Sequence, residues 1–180
     1  METTSLYVEL VIIGLETTLW ITSYSIWLTD IKYLSVLTNA VEKLPASVFL
    51  LGIMYVLGLI VDRVADLSFK KVENRIRNSS GLEVKSSILI WKRNDQENYF
   101  KYTRSKIRIL RASSINIPIF TVSVLLNIFK YYNNIFLLLY VAVIGGGLTY
   151  FSFKGFKQAT RNYYNKARIL ELELQKKDNK

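Results

Sequence analysis

The sequence predicts an all-α membrane protein with four transmembrane helices, helical cytoplasmic extensions, and both termini in the cytoplasm. Three observations carry that prediction. Apolar residues gather in four blocks, at about 5–28, 44–66, 114–131 and 134–153, each close to the roughly 20 residues a helix needs to cross a bilayer core. Blocks two and four hold no charge over 44–61 and 134–153, where a helix packed in a soluble core would show a polar stripe. The basic residues also fall on one side if the chain crosses four times. Of 24 Lys and Arg, 13 lie in 63–111 and 8 in 154–180. The positive-inside rule places those segments in the cytoplasm, and an odd number of crossings would break the sorting.

This division gives a transmembrane hairpin over 1–66, a basic cytoplasmic loop over 67–112, a second hairpin over 113–153, and a basic C-terminal helix over 154–180. The first block starts METTS, with no basic residue ahead of it. Its apolar run is longer than a signal peptide requires, so it is expected to stay in the mature chain. Residues 29–43 form an outer loop in which Ile31, Leu34, Leu37 and Val41 recur at helical spacing, as in a short interfacial helix. Pro45 suits the first turn of span two. That helix is expected to continue beyond the membrane to the breaker NSSG at 78–81. On the extension, Asp62, Asp66 and Glu73 share one face, because offsets of 4 and 11 return to nearly the same direction.

Residues 82–92 show partial alternation compatible with a strand, and RNDQ reads as a turn. Residues 97–112 read as a helix entering span three, with Lys101, Arg104, Arg108 and Arg111 in one stripe. The acidic and basic stripes pair most simply as an antiparallel hairpin. Alternatively, Asp62 and Asp66 ring the mouth of an oligomeric pore. Span three offers Thr121, Ser123 and Asn127 for interhelical hydrogen bonds, and the short YYNN turn makes spans three and four antiparallel neighbours. Gly145, Gly146 and Gly147 in span four allow close helix packing. In the tail, Tyr163, Ala167, Leu170 and Leu174 form a short seam, and the final KKDNK is expected to be disordered.

The carboxylates of span one pose the sharpest question. Glu9 and Glu16 are seven residues apart and share a face, and Glu16 falls near mid-depth. A charge there costs about 2.5–3.5 kcal/mol on insertion scales, and no Lys or Arg lies at matching depth in another span. Three solutions stay open: a protonated Glu16 bonded to Thr121, Ser123 or backbone near Gly145–Gly147; a water-filled path; or a shallow first span.

With no Cys and no His, disulfides, thiolate or imidazole metal sites, and Cys- or His-dependent catalysis are excluded. Asp62 and Asp66 lack the further Asp and Gly residues of alcohol phosphatidyltransferases, and the Gly-x-Gly-Asp element of membrane aspartyl proteases is missing. No enzyme activity, metal or cofactor is expected. The excess of basic residues suits anionic headgroups or an anionic nucleotide or oligonucleotide signal.

The four spans, the basic 67–112 loop, the basic tail and the intramembrane Glu16 together resemble the small multi-pass membrane subunits of bacterial defence operons, including membrane accessories of CRISPR systems and channel-like effectors. The resemblance is one of architecture and carries no specific motif. It implies a homo-oligomer in the bacterial inner membrane, possessing a cytoplasmic sensing face and permeabilising the membrane in antiphage defence. Two functions follow as expectations. In the first, a homo-oligomeric channel is lined by Glu9, Glu16, Ser123 and Asn127 and gated by the basic face. In the second, a non-conducting anchor or scaffold recruits a cytoplasmic partner protein through Lys101, Arg104, Arg108 and Arg111.

Overall fold

Four long helices make up the computed structural model, which describes residues 2–29, 44–81 and 97–178. They are α1 (Glu2–Leu28), α2 (Leu44–Ser80), α3 (Glu97–Tyr131) and α4 (Ile135–Asp178). All four are long and apolar enough to cross a membrane, so the protein is all-helical with four candidate spans. The outer-loop helix, the 82–92 segment and the RNDQ turn lie outside the described residues.

Local signals account for the helix ends. Gly81 follows α2 with φ 70°, a left-handed conformation that costs glycine nothing and lets the chain leave the helix at the NSSG breaker. Between α3 and α4, Asn133 takes φ 44°, tolerable for asparagine. The Asn134 side-chain oxygen accepts from the backbone N–H groups of Phe136 and Leu137 at 3.0 and 3.3 Å, capping α4. The expected boundaries at 66/67, 112/113 and 153/154 fall inside continuous helices. The terminal segment differs from expectation at its edge: α4 runs on to Asp178, into the KKDNK run, because no Gly or Pro follows Gly155 to stop it.

The helices run alternately up and down, so α1 and α3 are parallel, as are α2 and α4. Through the spans, α1 touches α2 on one side and α3 on the other, and α3 touches α4. The α1–α2 contact is made by backbone. A Cβ built on Gly14 would stand 1.6 Å from the Met54 carbonyl oxygen, and one on Gly58 would stand 1.8 Å from that of Leu10. Each glycine receives the partner's carbonyl, an arrangement small residues permit within a membrane. The Tyr7 and Tyr55 rings stack beside it, 5.1 Å apart. Between α3 and α4, Gly145 does the same work, since a Cβ there would meet Thr121 Oγ1 at 2.2 Å. Gly146 and Gly147 have nothing within 4 Å of a built Cβ, so neither is a site of close helix approach among the described residues.

Beyond the start of α1, the other three helices continue as a three-helix extension with its own apolar core. Ile107, Phe156 and Ala159 are buried together, with Phe69 and Val72 against them. Farther out, Phe100, Tyr164, Ala167 and Leu170 form a second cluster with Ile76 and Tyr163. The tail seam therefore docks on this chain's own α2 and α3. Of its expected members, Leu174 has a side chain outside the described set.

Candidate functional site

Polar side chains in the spans concentrate on the seam between α1 and α3. On α1, positions 9, 13, 16, 20, 23 and 27 alternate steps of four and three, so they form one stripe along a helix of 3.6 residues per turn. On α3, Ser113, Asn116, Ser123, Asn127 and Lys130 form the opposing stripe. Because the helices are parallel, the two stripes meet rung by rung.

The middle rung holds Glu16. Ser113 Oγ donates to one carboxyl oxygen at 2.7 Å, and Asn116 Nδ2 donates to the other at 3.2 Å. Asn116 is 1% exposed and is itself held on both sides of its amide. Its Nδ2 also donates to the Ile13 carbonyl at 3.3 Å, and its Oδ1 accepts from Trp20 Nε1 at 3.2 Å. Thr17, also buried, donates to the Ile13 carbonyl at 2.8 Å and has its hydroxyl 3.4 Å from Asn116 Oδ1. The partners of Glu16 are therefore Ser113 and Asn116. The expected Thr121 and Ser123 instead donate to the Ile117 and Phe120 carbonyls of their own helix, and Gly145 faces Thr121. Toward the α3–α4 turn, Asn127 Nδ2 donates to the Ser23 carbonyl at 2.7 Å. Lys130 Nζ donates to the Trp27 carbonyl at 2.8 Å and the Tyr131 hydroxyl to that of Ile26 at 3.3 Å, satisfying carbonyls that the end of α1 leaves free.

At the other end of the seam the polar ladder becomes ionic. Arg108 pairs with Glu9 at 2.9 Å and with Asp62 at 3.6 Å. Arg111, 8% exposed, reaches three carboxylates on one face of α2: Asp66 at 2.6 Å, Asp62 at 3.1 Å and Glu73 at 3.6 Å. The planar guanidinium makes this possible, because its donors diverge from one rigid fork. Burying such a group unpaired would be costly, so the acids on α2 and the arginines on α3 fix how deeply these helices overlap. Glu73 also accepts from the Tyr164 hydroxyl at 2.9 Å, which brings in α4. Burial, with Glu73 beside it, pushes the Tyr164 hydroxyl above its ordinary range and keeps it a donor.

The expected basic stripe divides. Arg108 and Arg111 turn into the ionic cluster. Lys101 pairs with Glu97 of its own helix at 2.6 Å, and Arg104 is exposed. Asp62 and Asp66 are half-buried in the same cluster. Sequence reasoning missed Ser113, Asn116, Gly14 and Gly58. The first two were detectable as polar residues three apart on the same face of α3 as Ser123, Asn127 and Lys130. Chemically, the seam positions the two helices and holds charge through paired polar and ionic groups. Comparison with protein-family models, with curated proteins and with solved structures finds no match.

Proposed function

We propose that this protein is a non-conducting membrane anchor whose three-helix extension recruits a partner on the cytoplasmic side. The observation that carries this reading is where the intramembrane polar groups go. Glu9, Glu16, Ser123 and Asn127, the residues a channel would spend on its lumen, are engaged within the chain at or beside the α1–α3 seam. A pore built from copies needs a polar face turned out of each copy. The large side chains the spans turn outward are apolar, among them Leu15, Leu19, Phe49, Val56, Phe136 and Val143. Such faces fit lipid.

The cytoplasmic assignment follows from the concentration of Lys and Arg in 63–111 and 154–180. A bacterial inner membrane and a part in antiphage defence are the setting that the architectural resemblance suggests. Supporting a recruiting role, the extension sorts its charge. Asp62, Asp66 and Glu73 turn toward Arg108, Arg111 and Tyr164, while Lys70, Lys71, Arg75, Arg104, Lys106 and Arg161 are exposed. The test is ion conductance of the purified protein in a planar bilayer, wild type beside Glu16→Gln. Both are expected to be silent. Cation-selective steps altered by the substitution would overturn the anchor reading in favour of a channel.

A further inference from the structure

Two rows of basic residues border the groove between α2 and α4 in the extension. Arg63, Lys70 and Arg77 on α2 are spaced by seven, as are Lys154, Arg161 and Arg168 on α4, so each row stays on one helix face. The two helices are parallel and packed together here, with Phe69 against Phe153 and Phe156 at ring separations of 5.8 and 5.3 Å. The far ends of the rows converge. A Cβ built on Gly81 would stand 3.4 Å from the Arg168 guanidinium carbon, and Arg77 acts electrostatically on Tyr164. All these bases but Arg77 are exposed, and the half-buried Arg77 has an Nε with no hydrogen-bond partner among the described residues. The α2 acids nearest the groove, Asp66 and Glu73, are committed to Arg111 and Tyr164.

We infer that this groove binds an acidic amphipathic helix of the recruited partner; the inference rests on the anchor reading and names the chemistry of what is recruited. Lipid alone does not account for the rows. Arg63 and Lys154 are the first bases beyond the uncharged runs of their spans. At 1.5 Å per residue, Lys70 and Arg161 lie about 10 Å farther along their helices, and Arg77 and Arg168 about 21 Å. The headgroup layer is only about 5–8 Å thick per leaflet, and the field of anionic lipid decays over about 8 Å. Headgroups therefore serve the first member of each row and leave the outer two. A helix fits better than a nucleic acid because exposed aliphatic side chains stand beside Arg168 on α4, Ile169 at 50% and Leu172 at 49%. Among the described residues, the parts of α2 and α4 that follow Arg63 and Lys154 expose no large aromatic side chain on which a base could stack. A third helix laid in the groove would cover those aliphatic groups with its apolar edge and meet both basic rows with flanking carboxylates, as charges flanking a coiled-coil seam do.

The probe is a fluorescent synthetic helix about three heptads long, with a Leu stripe flanked by Glu. It is titrated by anisotropy against the full chain in nanodiscs of zwitterionic lipid. Lys70→Gln/Arg161→Gln/Arg168→Gln is expected to weaken binding by about tenfold or more, the scale of three lost ion pairs. Lys71→Gln/Arg104→Gln/Lys106→Gln, which removes equal charge elsewhere, is expected to stay within about twofold of wild type. A Lys-flanked peptide should bind only the Lys70→Glu/Arg161→Glu/Arg168→Glu chain, which keeps the test valid if the first variant is unstable. No binding to wild type, equal loss in the control variant, or tighter binding of a single-stranded oligonucleotide would overturn the inference. So would displacement of the peptide by phosphatidylserine vesicles. Bilayer conductance, measured separately, would refute the anchor reading without altering the peptide titration.

Discussion

The crossing of α1 over α2 makes a sharp prediction, because backbone contacts cannot be relieved by a side chain swinging away. Gly58→Ala places a methyl group 1.8 Å from the Leu10 carbonyl oxygen, and Gly14→Ala places one 1.6 Å from that of Met54. A carbon–oxygen contact relaxes only near about 3.3 Å, so either change must drive the helices apart by about 1.5 Å. Through its span, α2 has α1 as its packing neighbour, and the displacement opens that whole interface. Overpacking of this kind costs about 1–3 kcal/mol per site. Because the chain has no cysteine, Tyr7→Cys/Tyr55→Cys gives a thiol pair free of background, placed where the two rings now stack at 5.1 Å. A short bifunctional thiol reagent should link the pair rapidly in the parent and several-fold more slowly once either alanine is added, with a lower thermal midpoint in detergent. Unchanged linking and an unchanged midpoint in both alanine variants would refute the reasoning. Gly52→Ala, with nothing within 4 Å of its built Cβ, is the matched control.

Other perturbations follow from the ionic cluster and the seam. Arg111→Met leaves three carboxylates on α2 without their shared guanidinium and should destabilise the protein by about 3–5 kcal/mol in thermal or denaturant unfolding. Arg111→Lys should recover little of this, since one compact ammonium does not reach three acceptors. Glu16→Gln can keep an oxygen toward Asn116 Nδ2, which is not free to turn over because its Oδ1 already accepts from Trp20, but its amide must then donate to Ser113 Oγ, reversing the bond that Ser113 now donates. A cost of about 0.5–1.5 kcal/mol is expected in the same unfolding assay. Tyr164→Phe removes the hydrogen bond to Glu73, at about 1–2 kcal/mol. Because the Tyr164 hydroxyl titrates above its ordinary value of 10.0 when folded, its contribution is full below that pH and is lost as pH rises through the raised value. The Phe variant should therefore show a shallower alkaline decline in stability than wild type.

Much of this architecture is legible from the residues in order. Four apolar blocks of about 20 residues, two of them with long uncharged runs, are enough to mark four candidate spans, and helical periodicity puts Asp62, Asp66 and Glu73 on one face whatever they contact. The YYNN turn is too short to do anything but return the chain beside itself. These features are set by local geometry and by the cost of leaving backbone groups unpaired in hydrocarbon. What only the tertiary structure decided is register and choice of neighbour. Glu16 meets Ser113 and Asn116 rather than Thr121 or Ser123 because α1 lies parallel to α3 at one relative depth, and that depth is fixed remotely by Glu9 on Arg108 and Asn127 on Ser23. Arg108 and Arg111 become structural while Arg104 stays exposed, although all three share one sequence stripe, because acids on two other helices converge at one level of the bundle. Gly14 and Gly58 are unremarkable in the sequence and become the closest approach of two helices only once α2 has folded back. Each outcome depends on pairs of residues about 40 to 105 positions apart, and periodicity along a single helix carries no information about such pairs.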